Sequence, residues 1–281
     1  MAFPVVAEIT ETAFTSGTSH LVSMPATVDV GDALICLFVN DGSATVTTPT
    51  GWTQKSTNNR AAIRMGVYAK DADGTEDGTT VDFVTSAAEK ASAQVYRITE
   101  ATWKGAIGDI EVGVAADGSG VSPNPPSLTA AGGADDNLWI ACTCRDNSNA
   151  TVTYPTNYTN GIETSSSGGG SQSAYSARRE LNTATEDPGV FTIVSEAWIA
   201  QTIVVPPAAG GATISLSGSG ASASDGVGTL VRNKLALAGS GPTSSDGRGL
   251  LGKLISVTGS GPSSSDGTGT LVRNRLALSG S

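Results

Sequence analysis

A ten-residue stretch occurs twice in this chain of 281 residues and constrains its fold more than any other feature. Residues 44–53 read ATVTTPTGWT, and residues 150–159 read ATVTYPTNYT, at an offset of 106. Each copy follows an apolar run that ends in a polar cluster, DALICLFVNDGS at 32–43 and DNLWIACTCRDNS at 136–148. Such runs are typical of a buried strand followed by a turn. We therefore interpret the two copies as equivalent parts of two similar halves.

The sequence downstream of each copy repeats as well. The segments AIRMGVYAK at 62–70 and QSAYSARRE at 172–180 precede the loops DGTEDG at 73–78 and ATEDPG at 184–189. Each half then closes with a pair of alternating apolar segments, which indicate strands with one buried face. We predict an all-β fold, a jelly-roll-like β-sandwich that is built from two pseudo-repeated halves.

Composition divides the chain into segments. All aromatic residues, all Cys and Met residues and the only His precede residue 206, so the hydrophobic core is expected there. The stretch PPAAGG indicates a linker, because its prolines cannot donate the hydrogen bonds of a strand ladder. The predicted segments are a sandwich over 1–205, with halves at about 25–100 and 135–205, a linker over 206–211 and a repetitive tail over 212–281.

The tail repeats roughly every 20 residues, and each repeat reads as two short strands around a turn. The turn Ser-Asp-Gly recurs at Asp225, Asp246 and Asp266. The apolar pairs of the repeats are Ile214 and Leu216, Leu235 and Leu237, Ile255 and Val257, and Leu276 and Leu278. One repeat has too few apolar side chains to offset the entropy of ordering twenty residues, about 1–2 kcal/mol each. The pairs are therefore predicted to pack on the next repeat, on other copies of the chain or on a larger assembly.

Charge and hydropathy exclude several partners. Residues 1–206 carry a net charge of −13 and the remaining residues +3, which gives −10 in total. An acidic body argues against nucleic acid, because phosphate binding needs a concentrated positive surface. No run of about 18 apolar residues occurs, so we expect no membrane insertion. The start MAFPVVAEIT lacks a basic segment before an apolar one, so we expect no secretory signal.

The chain contains no recognisable catalytic or cofactor-binding motif, and we predict that it is not an enzyme and holds no cofactor. The only histidine, His20, is expected to be a surface or hydrogen-bonding residue. Cys36 and Cys142 fall near equivalent places in the two halves and, with Cys144, are expected to be small buried side chains. The Gly-rich string at 261–270 lacks the Lys-Ser/Thr ending of a phosphate-binding loop.

Two acidic groupings leave an alternative open. The loop DADGTEDG at 71–78 offers carboxylates to Ca²⁺ but lacks the spacing of a helix-loop-helix calcium site, and its partial recurrence in the second half favours a hairpin turn. Its acids are Asp71, Asp73, Glu76 and Asp77. Within the predicted strand IGDIEVGVA at 107–115, Asp109 and Glu111 share one face. They fit a solvated face, or else acid/base chemistry or a hard cation. We predict no resident metal.

Two aromatic residues are candidates for a binding role. Trp52 and Tyr158 occupy the same position in the duplicated stretch. A ring at this position can pack on the core, or it can stand at a rim and stack on the sugar ring of a glycan. The sequence leaves both interpretations open.

These residues resemble a known family. The series GDALICLFVNDGSATVTTPTGWTQ and MGVYAKDADGTE is similar to phage and bacterial surface β-sandwiches, whose members have PxGWT after the first buried strand and vYyK.A..g.e in a later one. The resemblance covers about residues 25–205. The second half departs from it, with Asn157-Tyr158 in place of Gly-Trp and Arg178-Arg179 where the Lys would stand. The tail is similar to segments of phage fibres and decoration proteins.

The resemblance implies a structural virion protein of a tailed bacteriophage, such as a capsid decoration, a head spike or a fibre. Its expected partners are other virion proteins of the capsid or tail and two further copies of itself in a homotrimer, with host surface polysaccharide as a further contact. The expected location is the virion, assembled in the reducing host cytoplasm, which agrees with free cysteines. The alternatives are a carbohydrate-binding adhesion module and a polysaccharide-degrading spike.

Overall fold

A computed structural model describes residues 2–60, 62–148, 151–166 and 171–209, together with three short strands of the tail. The chain forms two compact units, Met1–Ala209 and Gly210–Ser281. We call the first unit the body. Antiparallel strands dominate the described part of the body, which contains one short 3-10 helix, Ile107–Asp109, and no α-helix. The predicted all-β sandwich is confirmed.

The first sheet of the body contains six strands. They are β1 (Val6–Ser23), β2 (Ala33–Asp41), β3 (Val46–Thr47), β4 (Thr53–Arg60), β5 (Ile63–Asp71) and β6 (Thr80–Ile98). Their order is β1-β6-β2-β5-β4, and β3 pairs with β6. The central strand β2 is buried on both faces, which explains why its sequence is an almost continuous apolar run.

The second sheet also contains six strands. They are β7 (Glu111–Val112), β8 (Ala116–Gly120), β10 (Asp135–Asp146), β11 (Thr159–Ser165), β12 (Gln172–Thr183) and β14 (Glu196–Val205). Their order is β11-β12-β10-β14-β7, and β8 pairs with β14; β9 (Leu128–Thr129) and β13 (Thr185–Glu186) form a separate pair. The order β14-β10-β12-β11 repeats the order β6-β2-β5-β4 of the first sheet. The two halves therefore share one topology.

The largest apolar cluster lies between the two sheets. The side chains of β2 and β10 that face it are Ala33, Ile35, Leu37 and Val39 from the first strand and Leu138, Ile140, Cys142 and Cys144 from the second. The inward-facing residues have odd numbers in β2 and even numbers in β10, so equivalent residues of the two strands differ by an odd number of positions. The register supports 105, because Asp41 and Asp146 stand at equivalent strand ends.

This register corrects the expected equivalence of two cysteines. At an offset of 105, Cys36 corresponds to Ala141 rather than to Cys142. Cys36 faces the outer side of the first sheet, whereas Cys142 faces the core between the sheets. The offset of 106 in the duplicated stretch is larger because the second half has one more residue between its buried strand and that stretch. All three cysteines are buried and free, as their apolar surroundings predicted.

Each sheet buries its outer face against its own chain. Phe83 and Phe38 stack at 5.1 Å between ring centroids, although Phe38 pairs across the ladder with Ala93. Ten residues of extended strand span about 33 Å. The strand β6 must therefore fold back over the sheet to which its second half belongs. Phe191 is buried in a corresponding cluster outside the second sheet. The body thus contains three apolar layers.

A polar side chain from each half reaches across the central layer to the sheet of the other half. The Gln94 amide nitrogen donates to the Ala174 carbonyl at 3.1 Å, and its oxygen accepts from the Ser176 hydroxyl at 2.5 Å. Gln201 lies at the equivalent position of the second half, and its oxygen accepts from the Ser56 hydroxyl of the first sheet at 2.9 Å. Both amides are buried. Each half therefore anchors a glutamine in the sheet of the other half.

The tail is described at three strands. They are β15 (Ala236–Leu237), β16 (Ser256–Gly259) and β17 (Ala277–Gly280), which pair in parallel. Leu237 stands opposite Val257, and Val257 stands opposite Leu278, so each strand pairs with the next in the same phase of the repeat. The remaining predicted repeat residues lie outside the described residues: Ile214, Leu216, Asp225, Leu235, Asp246, Ile255, Asp266 and Leu276.

The predicted linker begins where the last strand of the body ends. β14 ends at Val205. The next residues are still held by the body, since the Lys104 amide donates to the Pro206 carbonyl at 3.1 Å and the Ala208 amide donates to the Thr102 carbonyl at 2.9 Å. Residues 206–208 therefore belong to the body rather than to a free linker.

We expect Gln94→Leu to lower the free energy of unfolding of the body by about 1–3 kcal/mol, because it leaves buried polar partners unsatisfied without changing side-chain volume much. Denaturant titration followed by tryptophan fluorescence measures this, since all four tryptophans lie in the body. The exposed Gln54→Leu is the control. A Gln94→Leu protein as stable as this control would contradict the crossing role of the amide.

Candidate functional site

The duplicated stretch of the first half forms a tight turn that places Trp52. The Trp52 amide donates to the Pro49 carbonyl at 3.1 Å, and Gly51 between them has a φ of +81°. A positive φ at the third residue of a turn favours Gly or Asn. The turn directs the indole onto the outer face of the first sheet, where it meets the Phe83 ring edge-to-face at 5.8 Å.

The second half builds the same turn with different residues. The Tyr158 amide donates to the Pro155 carbonyl at 3.1 Å, and Asn157 has a φ of +68°. Asn replaces Gly here because its short polar side chain tolerates this left-handed conformation. The Tyr158 ring packs on the outer face of the second sheet, and its hydroxyl donates to Glu186 at 3.3 Å.

Neither ring offers a free face. Trp52 is 7% exposed and Tyr158 is 8% exposed. A sugar ring stacks on an exposed aromatic face, so the geometry favours the core-packing interpretation of both residues. It gives the glycan-stacking interpretation no support.

A partly buried ion pair accompanies each turn. Lys70 approaches Glu76 at 2.5 Å, and Arg179 approaches Glu186 at 2.9 Å at the corresponding places of the second half. Burial lowers the pKa of Lys70, but its hydrogen bonds to Glu76 and Asp73 outweigh this effect and raise it overall. The recurring Thr-Glu-Asp of the two loops is the sequence signal for these pairs, although from sequence it was interpreted as a hairpin turn with Ca²⁺ binding as the alternative.

Three carboxylates of the acidic loop at 71–78 accept hydrogen bonds from donors of the same chain. Asp73 accepts from the Lys70 ammonium and from the Thr75 amide, each at 3.0 Å. Asp77 accepts from the Val28 amide, and Glu76 accepts from the Gly74 amide. These contacts compete with Ca²⁺ for the same oxygens. Within the described ranges, no group of three or more His, Cys, Asp and Glu side chains is placed to hold a metal ion.

The carboxylates of Asp109 and Glu111 are engaged separately. The predicted strand at 107–115 is shorter than expected, because the first three residues form the 3-10 helix and β7 contains only two. Asp109 forms an ion pair with Lys104 at 2.9 Å, and Glu111 accepts from the Ala131 amide at 2.9 Å. The two acids therefore serve as local anchors instead of forming a common site.

His20 is a buried residue, which corrects its expected surface position. Its ring lies between Phe14 and Phe38, and its Nε2 atom is 3.1 Å from the Thr85 hydroxyl. Burial lowers the pKa of His20, and Asp82 partly opposes this. The hydrogen bond was expected from its polar sequence context. The buried position gives a substrate no access to the ring.

Two equivalent aspartates meet at one end of the sandwich. Burial raises the pKa of Asp41 to about 6, and the nearby carboxylates of Asp146 and Glu89 add to this effect, while Lys90 opposes it. Burial also raises the pKa of Asp146. The two carboxylates come near each other because Asp41 and Asp146 end equivalent strands whose inner faces pack together.

The comparisons with known proteins leave the geometry as the guide to function. No known protein family matches this chain, and neither a curated protein nor a solved structure matches it. A search of the described residues for a helix long and apolar enough to cross a bilayer found none. The proposals below therefore depend on the residues and contacts described above and on the resemblance of short motifs.

We expect Trp52→Ala to lower the free energy of unfolding of the body by about 3–5 kcal/mol, because it removes a large ring from an apolar cluster. Denaturant titration measures this change. Tyr158→Phe is a milder comparison, because it keeps the ring and removes only the hydroxyl. A Trp52→Ala protein that kept its stability but lost retention on a host-glycan column would restore the stacking interpretation.

We expect Asp41→Asn to raise the melting temperature at pH 7.5 and to leave it nearly unchanged at pH 4. The pKa of about 6 in the folded state exceeds the ordinary value of 3.8, so the ionised carboxylate costs stability as pH rises through that window. Thermal unfolding at several pH values measures this. Asp187→Asn, at an exposed position, is the control. An equal shift in both variants would argue against the paired aspartates as its cause.

Proposed function

We propose that this protein is a structural component of a tailed-bacteriophage particle, attached to the capsid or tail and displayed at the surface as a decoration, spike or fibre. The observation that carries the proposal is the parallel pairing of β15, β16 and β17, one repeat apart and in the same phase. A ladder of this kind suits an extended element of regular spacing. The resemblance of the body to phage and bacterial surface β-sandwiches is the reason for assigning the protein to a phage particle.

The body suits a load-carrying scaffold. Its two sheets bury their inner faces against each other, and the acidic groups proposed from sequence as candidate sites are engaged by ammonium or amide donors of the same chain. Paired and hydrogen-bonded charges of this kind hold loops in place instead of awaiting a substrate. The three buried thiols agree with assembly in a reducing cytoplasm, because burial raises the pKa of each and keeps it unreactive.

The tail suits association of identical chains. Its described strands have only two to four residues each. Leu237, Val257 and Leu278 occupy one column of the register. Three tails around a three-fold axis would bury such columns against each other, which an isolated repeat cannot do. We therefore include a homotrimer in the proposal.

The two carbohydrate alternatives receive no specific support. A carbohydrate-binding adhesion module would use Trp52 or Tyr158, whose rings are packed inside the body. A polysaccharide-degrading spike would need a pair of accessible carboxylates, and the candidates Asp109 and Glu111 are engaged by Lys104 and the Ala131 amide. Contact with host polysaccharide stays in the proposal only because a protein displayed on the particle surface would meet it.

We expect the full chain to have three times the monomer mass of 28.1 kDa in native mass spectrometry. A chain that ends at residue 209 is expected to be monomeric, because it keeps the body and lacks the repeats. A monomeric full chain with an ordered tail would overturn the trimer. Quantitative mass spectrometry of purified phage particles tests the wider proposal, and absence of the protein from them would refute it.

A further inference from the structure

A buried guanidinium near the end of β10 has no anionic partner. Arg145 is 2% exposed, and its Nε and Nη1 atoms are buried without a hydrogen bond. Among the described residues, no carboxylate forms an ion pair with it. Burying an ionised group without a partner is unfavourable, so such groups are normally paired in folded proteins. The arrangement indicates that an anionic group completes this part of the protein.

Further donors without acceptors lie on the same face. Arg145 stands directly opposite Ser173 on β12 and Trp198 on β14, and Tyr175 is the next residue of β12 on that face. Neighbours at these register positions come within contact distance. The Tyr175 hydroxyl and the Trp198 indole nitrogen are buried without a hydrogen bond. Burial raises the pKa of Tyr175 and the Glu163 carboxylate adds to this effect, while Ser173 and Arg145 oppose it, so the guanidinium lies near the hydroxyl.

The nearest acidic residue of the facing strand is turned to another partner. Glu163 on β11 stands opposite Tyr175, is exposed and accepts from the Ser165 hydroxyl at 3.2 Å. Asp146 follows Arg145 in the chain, so its side chain lies on the opposite face of the strand. Asp146 and Glu163 lie near Arg145 and Tyr175, but among the described residues neither carboxylate comes within ion-pair distance of the guanidinium.

The first half fills the equivalent region differently. The positions equivalent to Arg145, Tyr175 and Trp198 are Asn40, Gly66 and Ala91. The ring of Tyr68 fills the space above Gly66, where a Cβ atom would come within 2.6 Å of it. The first half also has a guanidinium on this face, that of Arg64 opposite Asn40, but its two Nη atoms donate to the Thr57 hydroxyl and the Ser43 carbonyl.

We propose that the outer face of the second sheet binds a small oxyanion, a carboxylate or phosphate group, through the Arg145 guanidinium and the Tyr175 hydroxyl. Hydrogen bonds from a guanidinium to such oxygens are charge-assisted and stronger than neutral ones. The body has a large net negative charge, which disfavours a polyanion over most of its surface. A single small group that reaches one buried cation avoids that repulsion.

The test is thermal unfolding of the full chain at fixed ionic strength while chloride is replaced by phosphate or by acetate. We expect the melting temperature to rise saturably in at least one of these anions, and the responding anion identifies a phosphate or a carboxylate site. Arg145→Met should abolish the response. Arg60→Met should keep it, because that guanidinium lies at the surface of β4 and pairs with Asp117.

Tyr175→Phe extends the test to a variant that retains the ring. We expect it to raise the anion concentration at half-saturation about tenfold, as loss of one hydrogen bond to a charged group does. It also covers the case in which Arg145→Met does not fold. A wild-type protein that responds to neither anion more than to chloride overturns the proposal. So does a Tyr175→Phe protein whose anion response equals that of the wild type.

Discussion

The structure depends on the burial of two sheets against each other along their inner faces. The strands β2 and β10 also carry an apolar cluster on their outer faces, so both strands are covered by other parts of the protein on both faces. Strands in that position cannot alternate between apolar and polar residues, so they appear as continuous apolar runs. Each half covers its own outer face with a folded-back strand or a loop and leaves its inner face for the other half. Neither half has a complete core without its counterpart.

Polar contacts repeat with the same symmetry in the two halves. Glu8 and Glu111 accept from the Ala26 and Ala131 amides, each at about 3 Å. The ion pair beside each duplicated turn uses Lys in one half and Arg in the other. Such contacts satisfy buried polar groups, which a stable interior requires. Arg145 departs from this pattern, because two buried nitrogens of its guanidinium have no hydrogen-bond partner, and this departure is the reason for the anion site proposed above.

The sequence predicted the strand content, the duplication and the turns, because each of these has a local signal. Alternation and apolar runs identify strands, and the Gly or Asn of each turn reflects its left-handed backbone. It did not predict the register between the halves, since one extra residue moves Cys142 to the opposite face from Cys36. Nor did it predict the folded-back β6 or the crossing of Gln94, because both depend on contacts distant in sequence. Local patterns also gave Arg145 no special role, because its unusual feature is that two buried nitrogens of its guanidinium have no hydrogen-bond partner.

The phase of the tail strands has a consequence for how such a protein changes in length. Each repeat adds one strand to the described ladder, and neighbouring strands in a sheet lie about 4.8 Å apart. Duplication of a whole repeat would lengthen the ladder by one such step and leave the pairing of all other strands intact. A change of a few residues would instead shift the phase and break the column. The whole repeat is therefore the unit by which the described ladder can grow or shrink without loss of its pairing.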